Sequence, residues 1–195
     1  MLPVWPSLSW WRIFPFWCRP VNQGNYGCEI TSFVPAYCYV PGRVRGKVLS
    51  MSHPPLTESQ RLALLQAARH AHQQAYAPYS KFRVGAAVLD DQGRIHAGCN
   101  VENAAYPEGV CAEASALSAM VLAGSTRAHA VLVVGSGGNS AGGWITPCGG
   151  CRQKLREFCA PDTPILTANE HALGPQHTLQ SLLPDGFGPD HLGKP

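Results

Sequence analysis

An α/β layered domain, with a sheet held between helices, is what the sequence predicts for the chain after Met51. Three observations carry that expectation. Val84 to Leu89 and Ala130 to Val134 are short, continuously apolar runs of the length of buried strands, and Thr163 to Thr167 reads as a further one. Segments of helical character stand at Thr57 onward, Cys111 to Ala123 and Cys148 to Phe158. Strands and helices alternate along the chain, and such alternation folds into layers.

Residues 1–50 differ from everything that follows. They hold Trp5, Trp10, Trp11 and Trp17, four of the five tryptophans, and are interrupted by Pro3, Pro6, Pro15, Pro20, Pro35 and Pro41. No apolar run there approaches the roughly 20 residues of a membrane span, and Arg12 breaks the best stretch. A basic start and an uninterrupted apolar centre, the marks of an export signal, are both missing. Met51-Ser52-His53-Pro54 reads as an ordinary protein beginning. We therefore expect residues 1–50 to be an N-terminal extension, disordered or lying upstream of the true start, and residues 51–195 to form the domain. The alternative is an arm for a membrane surface or a partner. Peptides from residues 1–50 in protein from its native source would overturn the upstream reading.

The first element of the domain begins at Thr57-Glu58-Ser59-Gln60, a capping box with Thr57 as N-cap and Gln60 reaching back. Leu62, Leu65, Ala68, His72 and Tyr76 follow at helical spacing, and Pro78 is expected to end the helix. Val84 to Leu89, Asp90-Asp91-Gln92-Gly93 and Arg94-Ile95-His96-Ala97 make a hairpin with a glycine-containing turn. Gly135 to Gly143 is a flexible loop whose glycines match no phosphate-binding pattern.

Composition narrows the function. A chain of 195 residues with 45% hydrophobic content suits one cored domain with an appendage. The net charge of +3 is not spread evenly: Arg12, Arg19, Arg43, Arg45 and Lys47 against Glu29 leave +4 in residues 1–50 and −1 in the rest. The domain is thus not a basic nucleic-acid surface. Eight cysteines without an export signal point to a reducing cytoplasm rather than a disulfide framework.

Three of those cysteines carry the chemistry. Cys148 and Cys151 are three apart on the first turn of an expected helix, so their sulfurs can share one ion, and Pro147 suits the helix start. Cys111 stands at the start of another expected helix, where unpaired N–H groups favour thiolate. Three thiolates leave one tetrahedral position of a zinc ion for water, the catalytic pattern. Glu113, two residues from Cys111, belongs beside the ion and not on it. Cys-x-Glu followed by Pro-Cys-x-x-Cys is the all-cysteine form of the zinc deaminase signature. A closed structural site would need a fourth ligand. Cys159 lies about 12 Å further along the helix, and Cys99, at a strand end, reads as an inert thiol.

Beyond these motifs the chain resembles cytidine deaminases of the small, zinc-dependent, homotetrameric type, from about Leu56 to Leu192. Pro78-Tyr79-Ser80-Lys81-Phe82-Arg83-Val84-Gly85-Ala86-Ala87 and Gly98-Cys99-Asn100-Val101-Glu102-Asn103-Ala104 are similar to two of that family's segments. The resemblance implies a three-layer α/β/α sandwich with a mixed central sheet, and a homotetramer. It implies that Asn100 and Glu102 hold ribose hydroxyls and Phe82 stacks on a pyrimidine. It implies further that Ala104 and Tyr106 contribute backbone to base recognition and that Phe187 closes over a neighbouring subunit's site. Cytidine and 2′-deoxycytidine are the implied substrates, with another nucleoside or base, or a non-catalytic zinc scaffold, as alternatives. One departure stands out: Ala114 occupies the place of an arginine that softens the thiolate charge in many relatives. Helix N-termini, with Arg152 or Gln153, are left to compensate.

Overall fold

The computed structural model describes residues 55–135 and 143–193. The expected boundary at residue 50 and most of the glycine-rich loop lie outside the described residues. The first helix, α1 (Glu58–Gln74), opens on the expected capping box: Gln60 N–H donates to Thr57 Oγ1 at 3.2 Å and Thr57 N–H to Gln60 Oε1 at 2.9 Å. Its buried stripe is Leu64, Leu65, Ala68, Ala71 and His72, while Leu62 is 47% exposed. Pro78 does not end the helix, which stops at Gln74. Tyr76 is already extended and bonded, donating to Asn100 O at 3.0 Å and accepting from Glu102 N–H at 2.8 Å. His70 is exposed and His72 buried, its pKa lowered mainly by burial.

Five strands follow: β1 (Val84–Asp90), β2 (Ile95–Cys99), β3 (Ala128–Gly135), β4 (Pro164–Ala168) and β5 (Leu173–Thr178). They form one sheet in the order β2-β1-β3-β4-β5. β1 is antiparallel to β2 and β3, β3 is parallel to β4, and β4 is antiparallel to β5, so the sheet is mixed. β5 escapes pattern reading because it is an edge strand with Gly174 and Pro175 in it and no buried residue. Within a strand, as opposed to at its first residue like Pro164 of β4, a proline with no N–H to give is tolerated at an edge or a bulge.

The continuous apolar runs are explained by helices on both faces. Ala87, Leu89, Ala130, Leu132, Val134, Leu166 and Ala168 pack with Leu64, Leu65 and Ala68 of α1. The alternate residues Ala86, Val88, Val131, Val133 and Ile165 pack on the other side with α2 (Ala112–Leu122), α3 (Gly149–Phe158) and the short α4 (Leu179–Leu182). That is the three-layer α/β/α sandwich, with each strand alternating between two cores. Gly85 and Gly98 set the spacing of the layers. A Cβ at Gly85 would overlap the backbone of Ala68 and His72, and one at Gly98 the backbone of Ala112 and Ala116.

Asp90, 1% exposed at the end of β1, anchors the hairpin. Burial alone would push its carboxyl up. Hydrogen bonds from His96, from the Arg94 backbone and guanidinium, and from Gln92 N–H outweigh burial and hold the pKa at about 2, against an ordinary 3.8. A carboxyl depressed by folding stabilises above its unfolded pKa and loses that contribution as pH falls through the folded one. On the order of 2 kcal/mol is therefore present above about pH 4 and lost between about pH 4 and pH 2. Denaturant titrations of Asp90→Asn should be flatter than wild type across that window.

Candidate active site

Two helix starts face each other at the site. Cys111 is the N-cap of α2 and Cys148 the N-cap of α3, both extended in backbone, and Cys151 lies on the first turn of α3. Neither cap uses its side chain on the helix, so the sulfurs are free to turn to one another. The three Sγ atoms lie within 4.8 Å of one another, and Cys111 to Cys148 is 4.0 Å. Sulfurs on a tetrahedral zinc at 2.3 Å stand about 3.8 Å apart, so these are within about 1 Å of the geometry a zinc ion requires. No other group of three or more Cys, His, Asp or Glu side chains is clustered this way among the described residues.

The thiols interact strongly. Burial comes first in raising Cys111 and Cys151, followed for Cys151 by the negative charge of Glu113. Burial also acts to raise Cys148, but hydrogen bonds from the backbone and side chain of Cys151 and from Cys111 outweigh it and lower its pKa. Three sulfurs and a carboxylate packed together cannot all ionise without a cation among them. A divalent ion supplies it, aided by the N-terminal dipoles of α2 and α3. The donor set therefore fits zinc, with Cys111, Cys148 and Cys151 to hold it.

Glu113 is on the first turn of α2, 4% exposed, with Oε2 accepting from Cys151 Sγ at 3.3 Å. It stands beside the sulfur cluster and opens on the same cavity as Cys111 and Cys148. That cavity measures about 740 Å³ and is bounded also by Phe82, Asn100, Glu102 and Tyr106. Tyr79, Ser80 and Thr146 line it too. Tyr79 and Ser80 belong to the Pro78-to-Ala87 segment whose resemblance to the family points to them, whereas Thr146 carries no signal of its own.

Asn100 and Glu102 are brought to the cavity by the strand continuation after β2, where Val101 pairs with Val110 in both directions at 2.9 Å. Asn100 accepts from Val84 N–H at 2.8 Å and donates to Phe82 O at 2.9 Å. Glu102 accepts from Tyr79 N–H at 2.9 Å, Ser80 N–H at 3.2 Å and the Ser80 hydroxyl. The Ser80 hydroxyl is the chief cause of its lowered pKa. The same two residues thus pin the loop that presents Phe82, while an amide N–H of Asn100 and part of Glu102's acceptor capacity stay unused by these bonds.

Two expected residues do not line the cavity of this chain. Ala104 is on an exposed bend, next to the lining residue Asn103, and was expected to contribute backbone only. Phe187 is 56% exposed and stacks on His191 at 5.2 Å, on the far side of α4 in sequence. Of the compensation expected for Ala114, the helix N-termini are in place at Cys111 and Cys148. Arg152 spends its guanidinium on Pro147 O, Leu182 O and Thr146 Oγ1, and Gln153 its amide on Phe187 O. Neither bonds a sulfur through these contacts. Cys159 is buried at the other end of α3, its thiol pushed up to about 12 by burial, and Cys99 is half-buried.

The family model described as the cytidine and deoxycytidylate deaminase zinc-binding region matches residues 58–167. The chain is 40% identical over 129 residues to a cytidine deaminase of Sporosarcina psychrophila, an alignment covering 66% of this chain and 92% of that one. Among solved structures, cytidine deaminase from Burkholderia pseudomallei superposes with a TM-score of 0.60 at 40% identity, covering 68% of this chain and 100% of that one. Cytidine deaminase from Mycobacterium tuberculosis does so with a TM-score of 0.55 at 39% identity, covering 66% and 97%.

Proposed function

The chain belongs to the cytidine and deoxycytidylate deaminase family, and from that premise we propose that it hydrolyses cytidine and 2′-deoxycytidine to uridine and 2′-deoxyuridine in pyrimidine salvage. The observation that carries this is the buried carboxylate of Glu113 at 3.3 Å from Cys151 Sγ, beside three converging sulfurs and facing one cavity. When bound, zinc supplies a Lewis acid that brings the pKa of a water molecule toward neutrality. Glu113 accepts the proton that this water gives up as its oxygen adds to C4 of the base. Glu113 delivers that proton to the ring nitrogen, then takes the second proton from the hydroxyl now on C4 and passes it to the amine, so that the C4–N bond breaks as the carbonyl forms. One water is consumed and one ammonia released.

The rest of the cavity binds and orients. Phe82, held by Asn100, stacks on the pyrimidine, and Asn100 and Glu102 take the ribose hydroxyls with their remaining capacity. The backbone near Ala104 and Tyr106 meets the base edge. Phe187 reaches the site of a neighbouring subunit in a homotetramer. Supporting this assembly, Tyr76, Tyr79, Val101, Tyr106 and Val110 are exposed apolar side chains in one stretch of chain at or beside the cavity. A reducing cytoplasm suits the free cysteines of the described residues, none of whose helices is long and apolar enough to cross a membrane.

Nucleoside is favoured over nucleotide. The described residues lining the cavity include Glu102 and Glu113 and no Lys, Arg or His, so no lining side chain offers a 5′-phosphate a positive charge, and Lys81, beside the cavity, is already drawn to Glu102. An ultraviolet assay should show kcat/KM for cytidine at least about 100-fold above that for its 5′-monophosphate, a difference of about 2.7 kcal/mol and within the several kcal/mol that juxtaposed like charges cost. Comparable rates on the two would overturn the nucleoside assignment. Glu102→Gln should narrow the gap while raising KM for cytidine.

A further inference from the structure

The helix that carries two of the converging cysteines has a second set of contacts that deamination does not use. Arg152, half-buried on the first turn of α3, donates from Nε to Pro147 O at 2.7 Å, from Nη2 to Thr146 Oγ1 at 2.9 Å and from Nη1 to Leu182 O at 2.8 Å. Its backbone N–H also closes the first turn of the helix onto Cys148 O at 2.9 Å. Pro147 directly precedes Cys148, so one residue grips the metal-binding turn twice, through its backbone and through its side chain.

The following residues extend the contact along the C-terminal segment. Gln153 Nε2 donates to Phe187 O at 2.8 Å and Arg156 Nη2 to Asp190 Oδ1 at 2.6 Å. Between those two anchors, Gly188 lies so close to Arg156 that a Cβ would overlap the guanidinium. The segment from Leu182 to Asp190 is therefore fastened to α3 at three points. Cys151 and Leu155, the buried residues of the same helix, face inward.

We propose that Arg152 is a positioning residue that holds the Thr146–Cys148 turn and the Phe187-bearing segment in one register, so that zinc retention and docking of residues 182–190 favour each other. The proposal rests on the reading of Cys111, Cys148 and Cys151 as zinc ligands. The physical reason is the planar guanidinium fork, whose N–H groups keep fixed angles and can bridge three acceptors from two segments at once. A lysine ammonium at the end of a flexible stem cannot reproduce that geometry. Whatever orders the turn for the metal also orders the acceptors that Arg152 bridges, and the coupling is necessarily reciprocal. It also shows how a chain with Ala114 supports its thiolates: by fixing the turn that bears them and not by a hydrogen bond to sulfur.

The test compares zinc-loaded full-length wild type with Arg152→Ala, Arg152→Lys and Gln153→Ala. Zinc release is followed with the chromogenic chelator 4-(2-pyridylazo)resorcinol, and docking by the rate of chymotryptic cleavage after Phe187. Both Arg152 variants should release zinc about tenfold faster, the size expected for removing a group that supports a ligand, and should be cleaved faster in parallel. Sub-denaturing guanidinium should restore both rates in Arg152→Ala, which general destabilisation would not do. Gln153→Ala, touching only the segment, should speed cleavage and, through the coupling, zinc release as well. Wild-type zinc release in the Arg152 variants, or faster release with cleavage unchanged, overturns the proposal. A wild-type chain that takes up no zinc overturns the ligand reading and the proposal together. Should Arg152→Ala fail to fold, Arg152→Lys and Gln153→Ala decide the matter.

Discussion

Glu113→Gln should leave zinc at wild-type stoichiometry while lowering kcat on cytidine by about 10³-fold or more, the upper part of the range for general acid–base catalysis. The side chains are nearly isosteric, so the buried pocket beside Cys151 accommodates the amide without repacking. The amide N–H₂ can even donate to a thiolate there. It cannot take a proton from water and return it to nitrogen, and the reaction asks Glu113 for both transfers. Atomic absorption for the metal and the ultraviolet change on deamination for the rate separate the two effects. Retained turnover would show that another group moves the protons; lost zinc would mean that Glu113 supports the metal cluster itself.

Cys151→Ser should reduce bound zinc to trace levels, abolish turnover and lower the melting temperature. Cys151 is 1% exposed, and it holds the inner corner of the three-sulfur cluster from the first turn of α3. Serine keeps the volume but not the thiol, whose proton a bound zinc displaces far more readily than a hydroxyl's. With free zinc at 1,000 times its dissociation constant, binding stabilises the fold by about 4 kcal/mol. At 2–4 °C per kcal/mol for a chain of this size, its loss costs on the order of 10 °C. Cys159→Ser is the control. It removes a buried thiol from the opposite end of the same helix, so it should cost packing energy but keep zinc and activity. Zinc retained in Cys151→Ser would exclude that cysteine as a ligand.

What could be read in advance was whatever depends on near neighbours in the chain. The Thr57 capping box, the hairpin at Gly93, the apolar runs of β1, β3 and β4, and the placing of Cys111 and Cys148 at helix starts all follow from spacings of a few residues. So does the position of Glu113 beside the three cysteines. Helical spacing overshoots the end of α1 because Tyr76 is drawn into extended pairing with Asn100 and Glu102, more than twenty residues away, before Pro78 can act. β5 leaves no trace in the pattern because an exposed edge strand with glycine and proline has no alternation to detect.

The chemistry is written locally in the chain: three thiols and a carboxylate, on helix starts whose exposed N–H groups favour anions, form a pattern independent of the path between its parts. It takes the folded chain to show that Asn100 and Glu102 brace the Phe82 loop, and that Arg152 bridges the Thr146–Cys148 turn to the C-terminal segment. The same holds for Ala104 and Phe187, which do not line their own chain's cavity. Those outcomes depend on which backbone carbonyls and N–H groups come within about 3 Å across 16 to 34 residues of intervening chain, and no spacing rule reaches that far.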